Sequence, residues 1–497
     1  MNHKFLFLCS VSAVAFAGIR ANAQNYFIPG DLVVSDLQYQ DVGEAAALVS
    51  GSSKLPNGAT VISDGGFPEV YSNEPNDSSF GITAPIFLDQ FSTSGSEVNS
   101  LAIDSTQIVN SFASKSEGAL NLSQDGTELT FAGYQAPPGS FDRSNSSTPG
   151  AIISGNVDPA TPTYRAIGEV NAQGQLTTTL TNAYTGDNPR AAILGDNGTI
   201  YAVGNQSGTV VNQTGVQIIT LGVNATASTP GTTQAGVYNI TQNGDAADKV
   251  VKDNNFRGEA IFNNTLYVTK GSGGNGINTV YQVGSTGSLP TGTNNVISIL
   301  PGFPTGLAKN DTATGYYPFG LWFANATTLY IADEGDNITA DVTGSNAVYD
   351  PNAGLEKWTY NGSVWQQQYT LQLGLNIGQL YSAAGDAYDP ATAGLRNLTG
   401  QVNANGTVTI YAITSTVSNN YDNGMDPDKL VAITDTVADS GTAAPAGESF
   451  TTLATSTYGD VYRGVAFAPV PEPGTWGMAV SGIGALLAFN RIRKRRS

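Results

Sequence analysis

One short pattern recurs along this chain: an apolar strand, a tight turn, a threonine, and a second apolar strand. It reads EGALNLSQDGTELTFAG from Glu117, PRAAILGDNGTIYAVGN from Pro189 and RGEAIFNNTLYVTKG from Arg257. FGLWFANATTLYIADEG from Phe319 and LRNLTGQVNANGTVTIYAIT from Leu395 continue it. The threonine falls at Thr127, Thr199, Thr265, Thr328 and Thr407, at intervals of 63 to 79 residues. Asp-Gly, Asn-Gly and Asn-Asn at the turns supply the positive φ that two-residue hairpins need. No helical periodicity competes with this alternation, so the body is all-β.

Each hairpin is followed, after a variable Gly/Ser/Asn loop, by a second one. GLEKWTYNGSVWQQQYTLQL (354 to 373) and YRAIGEVNAQGQLTTTL (164 to 180) are the clearest. Four antiparallel strands per irregular repeat predict the blades of a β-propeller. The two ends then interlock. YRGVAFAP (462 to 469) matches the first strand of a blade, but its companions are missing downstream. GDLVVSDL (30 to 37) and APIFLDQFSTSGSEVNSLAI (84 to 103) supply the second, third and fourth strands. A blade shared by both ends closes the ring and removes exposed sheet edges. The expectation is six blades over residues 24–469, with loop insertions long enough to conceal a seventh.

Composition excludes much chemistry. The only cysteine, Cys9, and the only histidine, His3, lie in the first ten residues. The body therefore has no Ser-His-Asp or Cys-His nucleophile, no His-ligated zinc and no disulfide. Between residues 24 and 471 there are 14 basic and 39 acidic side chains, near −25. Such a surface repels polyanions, so no nucleic-acid partner is expected.

The termini read as addresses. Lys4, the apolar stretch Phe5 to Ala17, and Ala21-Asn22-Ala23 form an export signal (1–23) cut by signal peptidase after Ala23. At the other end, Thr475 to Phe489 would cover roughly 22 Å as a helix against a bilayer core of about 30 Å, a short transmembrane helix. Arg491, Arg493, Lys494, Arg495 and Arg496 follow it and would stay cytoplasmic. Val470-Pro471-Glu472-Pro473, a Gly-rich apolar helix and a terminal basic cluster (470–497) resemble the PEP-CTERM sorting signal of Gram-negative bacteria. The resemblance implies an exosortase as partner, a transient membrane anchor, and delivery to the cell surface or extracellular matrix. GDLVV, IFLDQF and SEGALNLSQDG are also similar to a recurring set of PEP-CTERM proteins with propeller bodies of unassigned function.

Within the body, Arg190, Arg257, Arg396 and Arg463 each lie near the start of a predicted innermost strand. Four of 14 basic residues at one blade position predict a ring at one mouth of the central channel. Guanidinium groups there could hold a carboxylate or sulfate of an acidic exopolysaccharide. The structural alternative is that they pair with Asp187, Glu117 and Glu259 and tie blades together. Asp422, Asp426 and Asp428 in NNYDNGMDPDKL offer oxygen ligands for calcium, against the plainer reading of a polar turn stiffened by Pro427; no other cofactor is indicated. Asp333, Glu334 and Asp336 are too close in sequence to flank one glycosidic bond. Trp322, Trp358 and Trp365 are expected to pack between blades. The functional expectation is a structural, adhesive or glycan-binding surface protein and not an enzyme. The alternative is a carbohydrate-active hydrolase or lyase using carboxylates and tyrosines on the propeller face.

Overall fold

A computed structural model describes residues 26–54, 58, 60–61, 81–153, 161–207, 212–246, 252–271, 273–310, 315–335, 352–383, 389–417 and 424–471. The strands form six four-stranded antiparallel sheets and one two-stranded pair. Blade I holds Asn121–Leu122, Glu128–Tyr134, Arg165–Asn171 and Leu176–Thr181. Blade II holds Pro189–Leu194, Thr199–Gly204, Gly215–Thr220 and Thr233–Gln234; blade III holds Glu259–Phe262, Thr265–Lys270, Thr279–Val283 and Ile297–Ile299. Blade IV holds Pro318–Asn325, Thr328–Asp333, Gly354–Tyr360 and Trp365–Leu371; blade V holds Ala391–Val402, Thr407–Val417, Lys429–Thr436 and Thr451–Thr455. In blade VI the inner strand Asp460–Phe467 pairs with Leu32–Gln38, followed by Ile86–Phe91 and Glu97–Ala102. Each inner strand contacts the next, and that of blade VI contacts that of blade I, so the ring is a closed six-bladed β-propeller.

The core is divided as the blades are. Period-two alternation sends successive side chains to opposite faces of a sheet, so every blade has two apolar faces to cover. In blade II, Ala192, Leu194 and Ile200 pack toward Ala132 and Ile167 of blade I, whereas Ala191, Ile193 and Tyr201 pack toward Leu266 and Val268 of blade III. Six apolar clusters fill the six interfaces, including blade VI against blade I (Val33, Leu88, Leu129, Phe131) and blade V against blade VI (Ile413, Leu430, Leu32, Val465). Trp358 and Trp365 pack between blades III and IV, and Trp322 packs against the cluster between blades IV and V.

The recurring turns have a common cause, which differs in part from the expectation. Asn263 and Asn264, with φ of 46° and 55° between paired Phe262 and Thr265, make the expected two-residue turn. Ala326 and Thr327, between paired Asn325 and Thr328, make a second one without positive φ. In blades I, II and V the turn is longer, with Gly126, Gly198 or Gly406 at positive φ. There the preceding Asp or Asn accepts from the threonine. Asn405 Oδ1 takes the Thr407 N–H at 3.2 Å and its hydroxyl at 2.8 Å, and Asp125 treats Thr127 likewise at 3.1 and 2.8 Å. These Asx turns explain why threonine follows the turn. In blade IV it is Thr327 that bonds Asn325, leaving Thr328 to begin the strand.

The expected transmembrane segment, Glu472, Pro473, the signal residues Ala21 and Ala23, and Asp422 lie outside the described residues. Among the described residues, no helix is long and apolar enough to cross a membrane.

Candidate functional site

The four arginines come from the inner edges of four blades, and the segment between blades VI and I joins three of them. Arg463 of blade VI donates to the Phe112 carbonyl at 2.9 Å, Arg396 of blade V to the Lys115 carbonyl, and Arg190 of blade II to Ser116 Oγ. A five-residue stretch that reaches blades II, V and VI must lie across the central opening. Lys115 also donates to the Thr416 carbonyl at 3.1 Å. The mouth is thus closed by Phe112–Ser116, and the arginines hold that plug in place.

Each of those three arginines also meets a carboxylate. Arg463 pairs with Asp428 at 2.8 Å, Arg396 with Glu334 at 3.2 Å, and Arg190 with Asp187 at 4.0 Å. Asp187 is shared with Lys252 at 2.8 Å; burial alone would raise its pKa, but Lys252 and Arg190 outweigh it and hold it below the usual carboxylate range. Burial raises Asp428 against the opposing pull of Arg463 and Arg396, and lowers Arg463 to about 10 despite Asp428. Glu117 accepts from Asn188 rather than forming a direct pair with arginine. The blade-tying alternative therefore describes Arg190, Arg396 and Arg463, with Asp187 as expected and with Asp428 and Glu334 in place of Glu117 and Glu259.

Arg257 differs. It sits two residues before the inner strand of blade III, with its backbone N–H on the Thr269 carbonyl at 2.8 Å. Among the described residues its guanidinium meets no ion-pair or hydrogen-bond partner, and Nε is buried. Burial depresses its pKa, and so do the charges of Arg190 and Arg396, against the opposing pull of Glu334 and Asp187, so it belongs to the same charged group although it comes from another blade. It is the arginine of the four whose fork is not already engaged.

The other candidates are placed as follows. Asp428 is buried, holding Arg463 and accepting from Thr416 Oγ1 at 2.6 Å, and Asp426 is buried beside it in sequence. Among the described residues, no group of three or more side chains is placed to hold a metal ion. Asp333 accepts the backbone N–H groups of Tyr317 and Gly335, both at 2.8 Å, so it caps a turn. Trp358 stacks on Phe303 with ring centres 4.0 Å apart. At the C-terminal edge of the body, Val470 donates to the Gly126 carbonyl at 2.9 Å, and Pro471 borders a 350 Å³ cleft with Thr127, Glu128 and Gln175.

Two polar centres escaped the sequence reading. Arg165 is fully buried and donates to the carbonyls of Thr163, Ser144, Ser146, Tyr184 and Asp187 at 2.8 to 3.2 Å, with no carboxylate in direct contact. Between blades IV and V, Lys357 donates to Asp435 Oδ2 at 2.8 Å, Tyr369 donates to Oδ1 at 2.7 Å, and Tyr330 donates to Oδ2.

No family model matches the chain, and no curated protein does. Among solved structures it is similar to a glucose dehydrogenase, with TM-score 0.33 and 10% identity over 67% of this chain and 89% of that one. A quinonprotein alcohol dehydrogenase-like protein from Bacteroides thetaiotaomicron gives TM-score 0.30 and 10% identity, over 78% and 85%. Likenesses this distant carry no argument about what the present chain binds or does.

Proposed function

We propose that this protein is an exported, surface-delivered propeller that holds an acidic polysaccharide at its plugged mouth. The observation that carries the binding half is Arg257: a guanidinium with no acid paired to it among the described residues, beside two other arginines. A planar fork in that setting suits a carboxylate or sulfate, which would accept two parallel N–H bonds. The carboxylates at the mouth named above are each held by a cation or an amide. That arrangement suits binding better than the two opposed, unencumbered carboxyl groups that glycoside cleavage requires. The delivery half rests on the tripartite C-terminal tail and the N-terminal signal, with an exosortase and signal peptidase as processing partners.

Arg257→Ala is expected to weaken binding to alginate or a sulfated glycan by about tenfold or more, with strong salt dependence. Unchanged binding on an acidic-glycan array would refute the mouth as the site. For delivery, deletion of 470–497 should leave a folded protein that no longer reaches the cell surface. Mass spectrometry of the surface form should show a C-terminus near Val470.

A further inference from the structure

A cleft of 610 Å³ lies between the outer parts of blades II and III, and none of the four arginines lines it. Its walls include Asn212, Gln213, Pro230, Gln234, Val237 and Asn294, and among the described residues no charged side chain lines it. Its volume falls inside the ~300–1,000 Å³ typical of small-molecule sites.

Two of the lining glutamines are unusual. Gln213 is 9% exposed and Gln234 5%, yet the Oε1 atom of each is buried with no hydrogen-bond partner. Gln234 uses only its amide nitrogen, toward the Gly236 carbonyl at 3.3 Å. Gln217, close by in the same blade, shows what a merely structural glutamine looks like. Its nitrogen donates to the Thr214 carbonyl at 2.8 Å and its oxygen accepts from Thr232 at 2.7 Å. Leaving a buried acceptor empty is costly, and a donor brought by a ligand would recover that cost.

The lining narrows what that ligand can be. Among the described residues an anion would meet carbonyl oxygens and no cation, and a divalent cation would find no carboxylate, which hard metal sites of this kind use. A peptide adding as an extra strand would need the edge of blade II, but the Ala235 carbonyl there already accepts from Asn295 N at 3.1 Å and Nδ2 at 2.8 Å. What remains is an uncharged molecule rich in hydroxyl donors. Pro230 and the 38%-exposed Val237 offer an apolar surface for the C–H face of a ring.

We propose that the cleft between blades II and III binds a neutral polysaccharide, with Gln213 and Gln234 accepting from its hydroxyl groups after modest side-chain rotation. This is a second site, independent of the acidic-ligand site at the mouth.

The test is native affinity electrophoresis of the full body in gels containing dextran, mannan, starch or β-glucan. Wild-type protein should be retarded by at least one of them, and the retardation should persist at about 0.5 M NaCl and in Arg257→Ala. Gln234→Ala should weaken it about tenfold. Val237→Arg, which fills the cleft from an exposed position and leaves the buried glutamines alone, should abolish it. Absence of retardation by all four polymers, or wild-type retardation of Val237→Arg, would overturn the proposal. So would retardation lost with salt and with Arg257→Ala, which would place all binding at the mouth. Binding to an uncharged peptide array in place of the polymers, again lost in Val237→Arg, would assign the cleft to a protein partner and equally overturn it.

Discussion

Blade IV is sealed on its two sides by different means. Toward blade III it presents Trp358, Trp365, Leu321, Phe323 and Leu329 to Tyr267, Val280 and Phe303, an apolar and aromatic contact. Toward blade V it sets Lys357, 0% exposed, against Asp435, also 0% exposed, with Tyr330 and Tyr369 closing around the pair. The first contact is held by area removed from water, which is insensitive to pH and forgiving of small changes. The second adds to its own apolar cluster a charge pair whose members are each costly to bury alone. One blade therefore has a side that should fail gradually and a side that should fail at once.

The sharpest way to break the comparison is Asp435→Ala, which strands the Lys357 ammonium. A loss of about 3–5 kcal/mol is expected, read as a large drop in melting temperature. Replacing both partners, Lys357→Met with Asp435→Leu, should recover most of that loss; if the double variant is as unstable as the single one, the cost lies in packing and not in charge. On the apolar side, Phe303→Leu trims the stack on Trp358 and should cost about 1–2 kcal/mol, equally at pH 6 and pH 8. The smallest effect concerns Glu448, whose pKa is pushed up to about 7 by burial and by neighbouring Asp435. A raised carboxyl favours the protonated folded form, so its contribution is present at acidic pH and is lost as pH rises through about 7. Melting temperature should fall by about 1–2 °C between pH 6 and 8 on this account. Glu448→Gln should flatten that part of the slope, whereas Phe303→Leu should leave it intact. Glu169, raised to about 8 by burial and by Glu128, adds a slope of the same sign.

How much of this was legible follows from how local the cause is. The hairpins were readable because alternation and Asx-Gly-Thr turns act over a few residues. The shared blade was readable because YRGVAFAP (462 to 469) repeats the first-strand pattern of FRGEAIF (256 to 262), while the segments 30 to 37 and 84 to 103 supply the strands that should follow it. The convergence of Arg190, Arg257, Arg396 and Arg463 was also visible, since inner strands start at one end of a ring. What lies over them was not. The stretch from Ile103 to Gly118 has no periodicity to mark it as a plug, and the two-residue pair Thr83–Ala84 with Asn110–Ser111 that braces it is too short to signal itself. Lys357 and Asp435 lie 78 residues apart and in sequence look like ordinary strand-surface charges. Gln213 and Gln234 are likewise unremarked polar residues until burial shows that one end of each amide is empty.

The closing blade makes the order of the chain matter. Its innermost strand, Asp460–Phe467, is the last stretch of the body to be synthesised, while its three companions are among the first. Until Phe467 is available, Leu32–Val34 have no neighbour on their inner side and five blades stand as an open arc with two raw flanks. A nascent or clipped chain ending before Asp460 is therefore not a shorter version of the protein but a sticky, unlatched one, and quality control that removes such chains would act on that gap.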